Sequence, residues 1–145
     1  MIYFDTCALM RLVRQDERTD ALSRFIDENA GSRWFASELA KSEIARAVRR
    51  VNHDDHGRLL DAGRLEAELR HAESLCEHLD LIPVSSRVLR DAAALEQPFL
   101  RTLDAIHLAT ATAIRTGVSA FVTYDQRLAS AAEETGLPVV APGVP

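Results

Sequence analysis

The chain has 145 residues, is 47% hydrophobic and carries a formal charge of −5. That size predicts a single domain spanning 1–145, able to bury about two-thirds of its unfolded surface. No apolar run approaches the roughly 18 residues needed to cross a bilayer, and the acidic balance excludes a protein that coats nucleic acid non-specifically.

In chain order, Ile2-Tyr3-Phe4 reads as a buried strand ended by Asp5, with a helix starting at Thr6. Glu17 to Ala30 carries Ala21, Leu22, Phe25 and Ile26 at helical spacing, and Gly31 follows as a stop. Arg33 to Ala36 is a short second strand, its Trp34 and Phe35 read as core rather than as a stacking platform. Ser37 is a plausible cap for a helix running to about Asn52, with Ala40, Ile44, Ala47, Val48 and Val51 as its apolar stripe. His53-Asp54-Asp55-His56 lies in a polar turn and is read as solvent-exposed rather than as a metal site. A long helical pattern covers Arg58 to Leu79. Leu81 to Val84 is a third strand whose proline suits a sheet edge. A short helix to Leu95 follows, then one from about Leu103 to Thr116, capped by Thr102 and closed by Gly117. Ser119 to Thr123, Gln126 to Thr135 and Leu137 to Val140 complete the alternation as strand, helix and strand. Strands alternating with helices predict an α/β fold: a central parallel sheet flanked by helices on both faces. Cys7 and Cys76 lack the paired spacing of a disulfide framework or zinc site. The N-terminus lacks the features of a signal peptide. A reducing, cytoplasmic setting is expected.

Four carboxylates sit awkwardly. Asp5 and Asp125 each follow a strand, Asp104 opens an alanine-rich helix, and Glu43 borders the apolar stripe of its helix. Singly, each has an ordinary explanation as a cap, a dipole partner or an ion-pair member. In a parallel sheet, however, these positions can converge at one end. Two carboxylates about 4 Å apart repel by about 4 kcal/mol at an effective dielectric of 20, so a cluster of four would hold protons or bind cations. Oxygen ligands without His or Cys point to Mg²⁺ or Mn²⁺, ions that activate water and stabilise a phosphoryl group under attack. The chemistry inferred is metal-dependent phosphodiester hydrolysis.

These residues resemble a PIN-domain ribonuclease, and more narrowly the VapC toxins of type II toxin–antitoxin pairs. The matching segments are Ile2 to Leu9, Ser37-Glu38-Leu39 with Glu43 and Arg46, Leu100 to Ala111, and Phe121 to Leu128. The resemblance implies an acidic pocket of Asp5, Glu43, Asp104 and Asp125 holding Mg²⁺ or Mn²⁺, with Thr6 and Thr123 as supporting hydroxyls. It also implies an RNA substrate, a cognate VapB-type antitoxin and a homodimer. Cys7 departs from the family pattern, which commonly has Ser two residues after the first acid; a thiol is the weaker hydrogen-bond partner.

At 100° per residue Arg50 points within about 20° of Glu43 and Arg46 about 60° away, with Arg49 farther round. Arg46 and Arg50 are therefore candidates to hold RNA phosphates, and Arg101 joins them because it precedes Asp104 closely enough to share the site rim. His107, one turn after Asp104, is read as a packing or supporting residue rather than as a general base. The rival reading is a non-catalytic module whose acidic patch docks a basic partner segment. A phosphoaspartyl enzyme built on Asp5 is disfavoured, because that chemistry usually wants an Asp where Cys7 stands.

Overall fold

The computed structural model describes residues 1–14 and 19–144. β1 (Ile2–Phe4), α1 (Thr6–Arg14) and α2 (Thr19–Glu28) precede β2 (Trp34–Ser37), and α3 (Leu39–Val51) and α4 (Ala62–Glu77) precede β3 (Asp80–Ile82). α5 (Ser86–Ala93) and α6 (Thr102–Ala113) lead to β4 (Ala120–Val122), then α7 (Gln126–Glu134) to β5 (Val139–Val140). The strands form one parallel sheet in the order β3-β2-β1-β4-β5, the α/β architecture expected from the alternation. Glu17, the expected start of the second helix, lies outside the described residues.

β1 is the middle strand and all three of its residues are fully buried. Its two-residue alternation sends Ile2 and Phe4 to one face, against Leu9 of α1 and Ile44 and Val48 of α3. Tyr3 goes to the other face, with Leu108 of α6, Phe121 of β4 and Leu128 of α7. Burying each of these large side chains contributes about 1.5–3 kcal/mol, so helices are held on both faces of the sheet.

Several helix ends differ from expectation, each for a local reason. Asp61 caps α4, its carboxylate accepting from the Arg64 amide at 2.9 Å, so the helix starts at Ala62 rather than Arg58. The residues before it extend the turn through an antiparallel bridge between His53 and Leu59, which leaves Leu59 and Leu60 exposed. Ser37 ends β2, its hydroxyl accepting from the Leu39 amide at 3.4 Å, and Glu38 occupies the cap position of α3 without a side-chain capping bond, its carboxylate accepting instead from the Val84 amide. Arg101, not Thr102, occupies the cap position of α6. Gly31 and Gly117 are absent from the positive-φ glycines; α2 has already ended at Glu28, and a 3-10 turn, Arg115–Gly117, follows α6. Pro83 falls just beyond β3, which is indeed an edge strand. Among the described residues no helix is long and apolar enough to cross a membrane.

The strand order positions the site. The chain leaves β1 toward β2 and β3 on one side and returns to β4 on the other. Such a reversal opens a crevice at the carboxyl ends of the two strands that flank it. Phe4 is in register with Val122, so Asp5 and Thr123, the next residues, emerge side by side at that edge.

Candidate active site

Four elements deliver one acid each to this edge. Asp5 fills the single position between β1 and α1, Glu43 lies in α3, Asp104 in the first turn of α6, and Asp125 caps α7. All four line one open cleft of about 710 Å³, together with Thr6, Cys7 and the arginines Arg11, Arg14, Arg50 and Arg101. An adjoining groove of about 700 Å³ shares Thr6, Glu43 and Arg50 and continues over Arg46, Arg49 and His53. Arg46 thus lies beside the acidic cleft rather than in it. The side chains of Arg46, Arg50 and Arg101 make no hydrogen bond or ion pair with any described residue, so neither Arg46 nor Arg50 pairs with Glu43.

Asp5 is 5% exposed and the most firmly held of the acids. One oxygen, Oδ1, accepts from the Cys7 amide at 3.0 Å. The other, Oδ2, accepts from the Thr123 hydroxyl at 2.5 Å and from the Cys7 thiol at 2.9 Å. The thiol also accepts from the Tyr124 amide at 3.2 Å. The sulfur thus ties Asp5 to the end of β4. Burial first, and then the Asp5 charge, push the Cys7 thiol up from about 9 to about 12. At pH 8 only about one Cys7 in ten thousand would be a thiolate, the form that attacks electrophiles. Cys7 should accordingly escape iodoacetamide in the native protein at pH 8 and react fully in urea, as read by mass spectrometry of the peptides.

Asp125 spends Oδ1 on the Arg127 and Leu128 amides, at 2.8 and 3.1 Å, as an ordinary helix cap. Its Oδ2 has no hydrogen-bond partner among the described residues. Glu43 likewise uses one oxygen only. Oε2 accepts from the Thr6 hydroxyl at 2.7 Å and faces His107 Nε2 at 2.7 Å. Burial raises the Glu43 carboxyl, but the His107 hydrogen bond and charge and the Thr6 hydroxyl outweigh it, so the net shift is downward.

Asp104 differs from all of these. It is partly buried, and its side chain makes no hydrogen bond or ion pair with any described residue. Burial first, then the charges of Asp125 and Asp5, raise its carboxyl above the ordinary value, against a weaker opposite pull from Arg101 and His107. A carboxylate in this position is under-compensated.

The unused oxygens (both of Asp104, Oε1 of Glu43, Oδ2 of Asp125) form a donor set of hard oxygen ligands, which fits a divalent cation of the Mg²⁺ or Mn²⁺ kind. They are not gathered round one point. Among the described residues, no three His, Cys, Asp or Glu side chains form a group that could hold a metal ion as they stand. Asp5 and Asp125 are tied to backbone amides, and Glu43 to His107 and Thr6, so these three carboxylates each rest on a protein partner while Asp104 does not.

Three contributors were not anticipated as such. Tyr3, read only as a core strand residue, places its hydroxyl 3.1 Å from His107 Nδ1; a phenol on a fully buried strand needs a polar partner, and that was the available signal. Arg11 and Arg14 follow Cys7 by one and two turns of α1 and reach the cleft wall, with Arg11 lying over the Tyr124 ring at 4.1 Å. The turn at His53 to His56 is structural: the Asp54 carboxylate accepts from the His56 and Arg58 amides.

The PIN domain family model matches residues 2–134. Ribonuclease VapC35 of Mycobacterium tuberculosis is 39% identical over 145 residues, covering 99% of this chain and 98% of that protein. Ribonucleases VapC46 and VapC47 of the same species are 37% and 34% identical, each over at least 97% of both chains. No solved structure matches significantly. Sharing its domain model with one family and nearly its full length with these relatives, the chain belongs to the PIN domain family, within the group of the VapC ribonucleases.

Proposed function

We propose that residues 1–145 act as one nuclease domain, a metal-dependent endoribonuclease toxin that hydrolyses phosphodiester bonds in structured RNA. In this reading it works in the cytoplasm as a homodimer and is restrained by a cognate VapB-type antitoxin. The observation that carries the reading is the cleft itself. Four acids from four elements share it, and one of them, Asp104, is raised by burial first and then by the charges of Asp125 and Asp5. The names of the full-length relatives support ribonuclease as the activity.

Asp5, Glu43, Asp104 and Asp125 would hold Mg²⁺ or Mn²⁺ directly or through water. The cation, when bound, supplies Lewis acidity toward water and toward phosphoryl oxygens. The rest falls to the chain. Thr123 and Cys7 fix Asp5, Thr6 and His107 fix Glu43, and the α7 amides fix Asp125. His107 is not the general base: it is 1% exposed and both ring nitrogens are engaged. Arg50 and Arg101, on the cleft wall, and Arg46, in the adjoining groove, would take RNA phosphates on either side of the scissile bond.

The test is cleavage of end-labelled structured RNA by purified, antitoxin-free protein. Cutting should require Mg²⁺ or Mn²⁺ and stop with EDTA. Arg50→Ala should raise KM about tenfold, the worth of one charge-assisted phosphate contact, with kcat within about twofold. If the protein neither cuts RNA nor binds Mn²⁺ better than a variant lacking all four acids, the cleft is instead a docking surface for a basic partner segment.

A further inference from the structure

The polar contacts behind Glu43 run deeper into the fold than its own role requires. His107 of α6 lies between Tyr3 of β1 and Glu43 of α3. Its Nδ1 is 3.1 Å from the Tyr3 hydroxyl, and its Nε2 is 2.7 Å from Glu43 Oε2 and 3.1 Å from Thr6 Oγ1. Tyr3 is fully buried and His107 is 1% exposed. We propose that Tyr3 and His107 form a fixed donor chain that decides which oxygen of Glu43 faces the cleft, making His107 a positioning residue for the cation site. The proposal rests on the metal-dependent reading above.

Proton positions follow from the partners. A carboxylate only accepts, so Nε2 at 2.7 Å must carry a hydrogen; otherwise two lone pairs would face each other. The Thr6 hydroxyl spends its one proton on Glu43 Oε2 at 2.7 Å, so toward Nε2 it too can only accept. Both contacts of Nε2 therefore require the same proton. The fully buried Tyr3 phenol is the partner of the other ring nitrogen, 3.1 Å from Nδ1. In the proposed chain the phenol O–H donates to Nδ1 and Nε2–H donates to Glu43.

The consequence for Glu43 is directional. Two donors converge on Oε2, while Oε1 has no partner among the described residues. The carboxylate is thereby held in one orientation and offers a single oxygen to the cleft. Partners behind a metal-binding carboxylate typically change metal affinity 10–100-fold when removed.

The experiment uses the full chain with Mn²⁺ as probe, its dissociation constant measured by calorimetry and its fold checked by near-UV circular dichroism. His107→Leu should weaken Mn²⁺ binding about tenfold or more. His107→Gln, which restores a donor toward Glu43, should recover to within about threefold of the parent, and Tyr3→Phe should lose about threefold. In parallel, ¹⁵N chemical shifts of the metal-free parent should show His107 protonated at Nε2 and bare at Nδ1. A folded His107→Leu protein that binds Mn²⁺ within twofold of the parent, a Gln substitution no better than Leu, or a ring protonated at Nδ1 alone would each overturn the proposal. Should His107→Leu fail to fold, Tyr3→Phe and the parent's ring spectrum still decide it. A parent that binds no Mn²⁺ defeats the metal reading, while the ring spectrum separately judges the donor chain.

Discussion

Asp104→Asn is expected to abolish RNA cleavage and at the same time to make the protein more stable. The loss of activity follows from Asp104 having both oxygens uncommitted in the cleft. Amide substitution removes the charge and half of the donor capacity, and a fall of roughly 10³-fold is expected, about 4 kcal/mol of transition-state stabilisation. The gain in stability follows from the raised carboxyl. A folded-state value above the unfolded one means that the unfolded chain releases this proton first as pH rises. At neutral pH the ionised group therefore opposes folding, only modestly because it is half-buried and screened. Below its ordinary value of 3.8 both states are protonated and the penalty disappears. The Asn variant should melt above the parent at pH 7, and the gap should close as the pH approaches 3. Thermal melts over that range, without added metal, measure it. A variant that melts below the parent at pH 7 would show that Asp104 has a compensating partner in solution.

The fold was readable because its signals are local and repeated. Ile2-Tyr3-Phe4 is apolar throughout, as a middle parallel strand must be, and each later strand is separated from it by helical spacing. The helix starts were less readable. Ser37 and Thr102 have the right chemistry for caps, yet strand pairing claimed Ser37, and the chain entered α6 one residue earlier, through Arg101. Leu59 and Leu60 fit a helical stripe by spacing, but Asp61 supplied a better start after them.

For the site, sequence order suggested that Asp5 and Asp125 would lie at strand ends, and the sheet order β2-β1-β4 makes those ends neighbours across the reversal. What no spacing could reveal was which oxygen of each acid is already spent. That depends on partners from other elements: Thr123 for Asp5, His107 and Thr6 for Glu43. Tyr3 illustrates the same limit, since its neighbour His107 is 104 residues away in the chain.

Asp5→Ala should also silence the enzyme, but with the opposite effect on stability, and the contrast with Asp104 separates the two kinds of acid in this cleft. Asp5 is buried and accepts from the Cys7 amide, the Cys7 thiol and the Thr123 hydroxyl. Truncation leaves three donors facing a small void where water has little access. Each unpaired buried donor costs about 1–3 kcal/mol. The hydroxyl can recover part of its share by turning to the Cys7 sulfur at 3.6 Å, so a net loss of about 2–4 kcal/mol is expected, or roughly 5–12 °C in Tm at this chain length. Relief of the repulsion on Asp104 returns only a few tenths of that. Removing the Asp5 charge also removes one of the causes that hold the Cys7 thiol near 12, so Cys7 should react faster with iodoacetamide in this variant than in the parent. Loss of stability together with faster alkylation is the signature of Asp5 as the knot between β1 and β4. An Asp5→Ala protein as stable as the parent, with Cys7 equally shielded, would mean that the joint is held by the strand pairing alone.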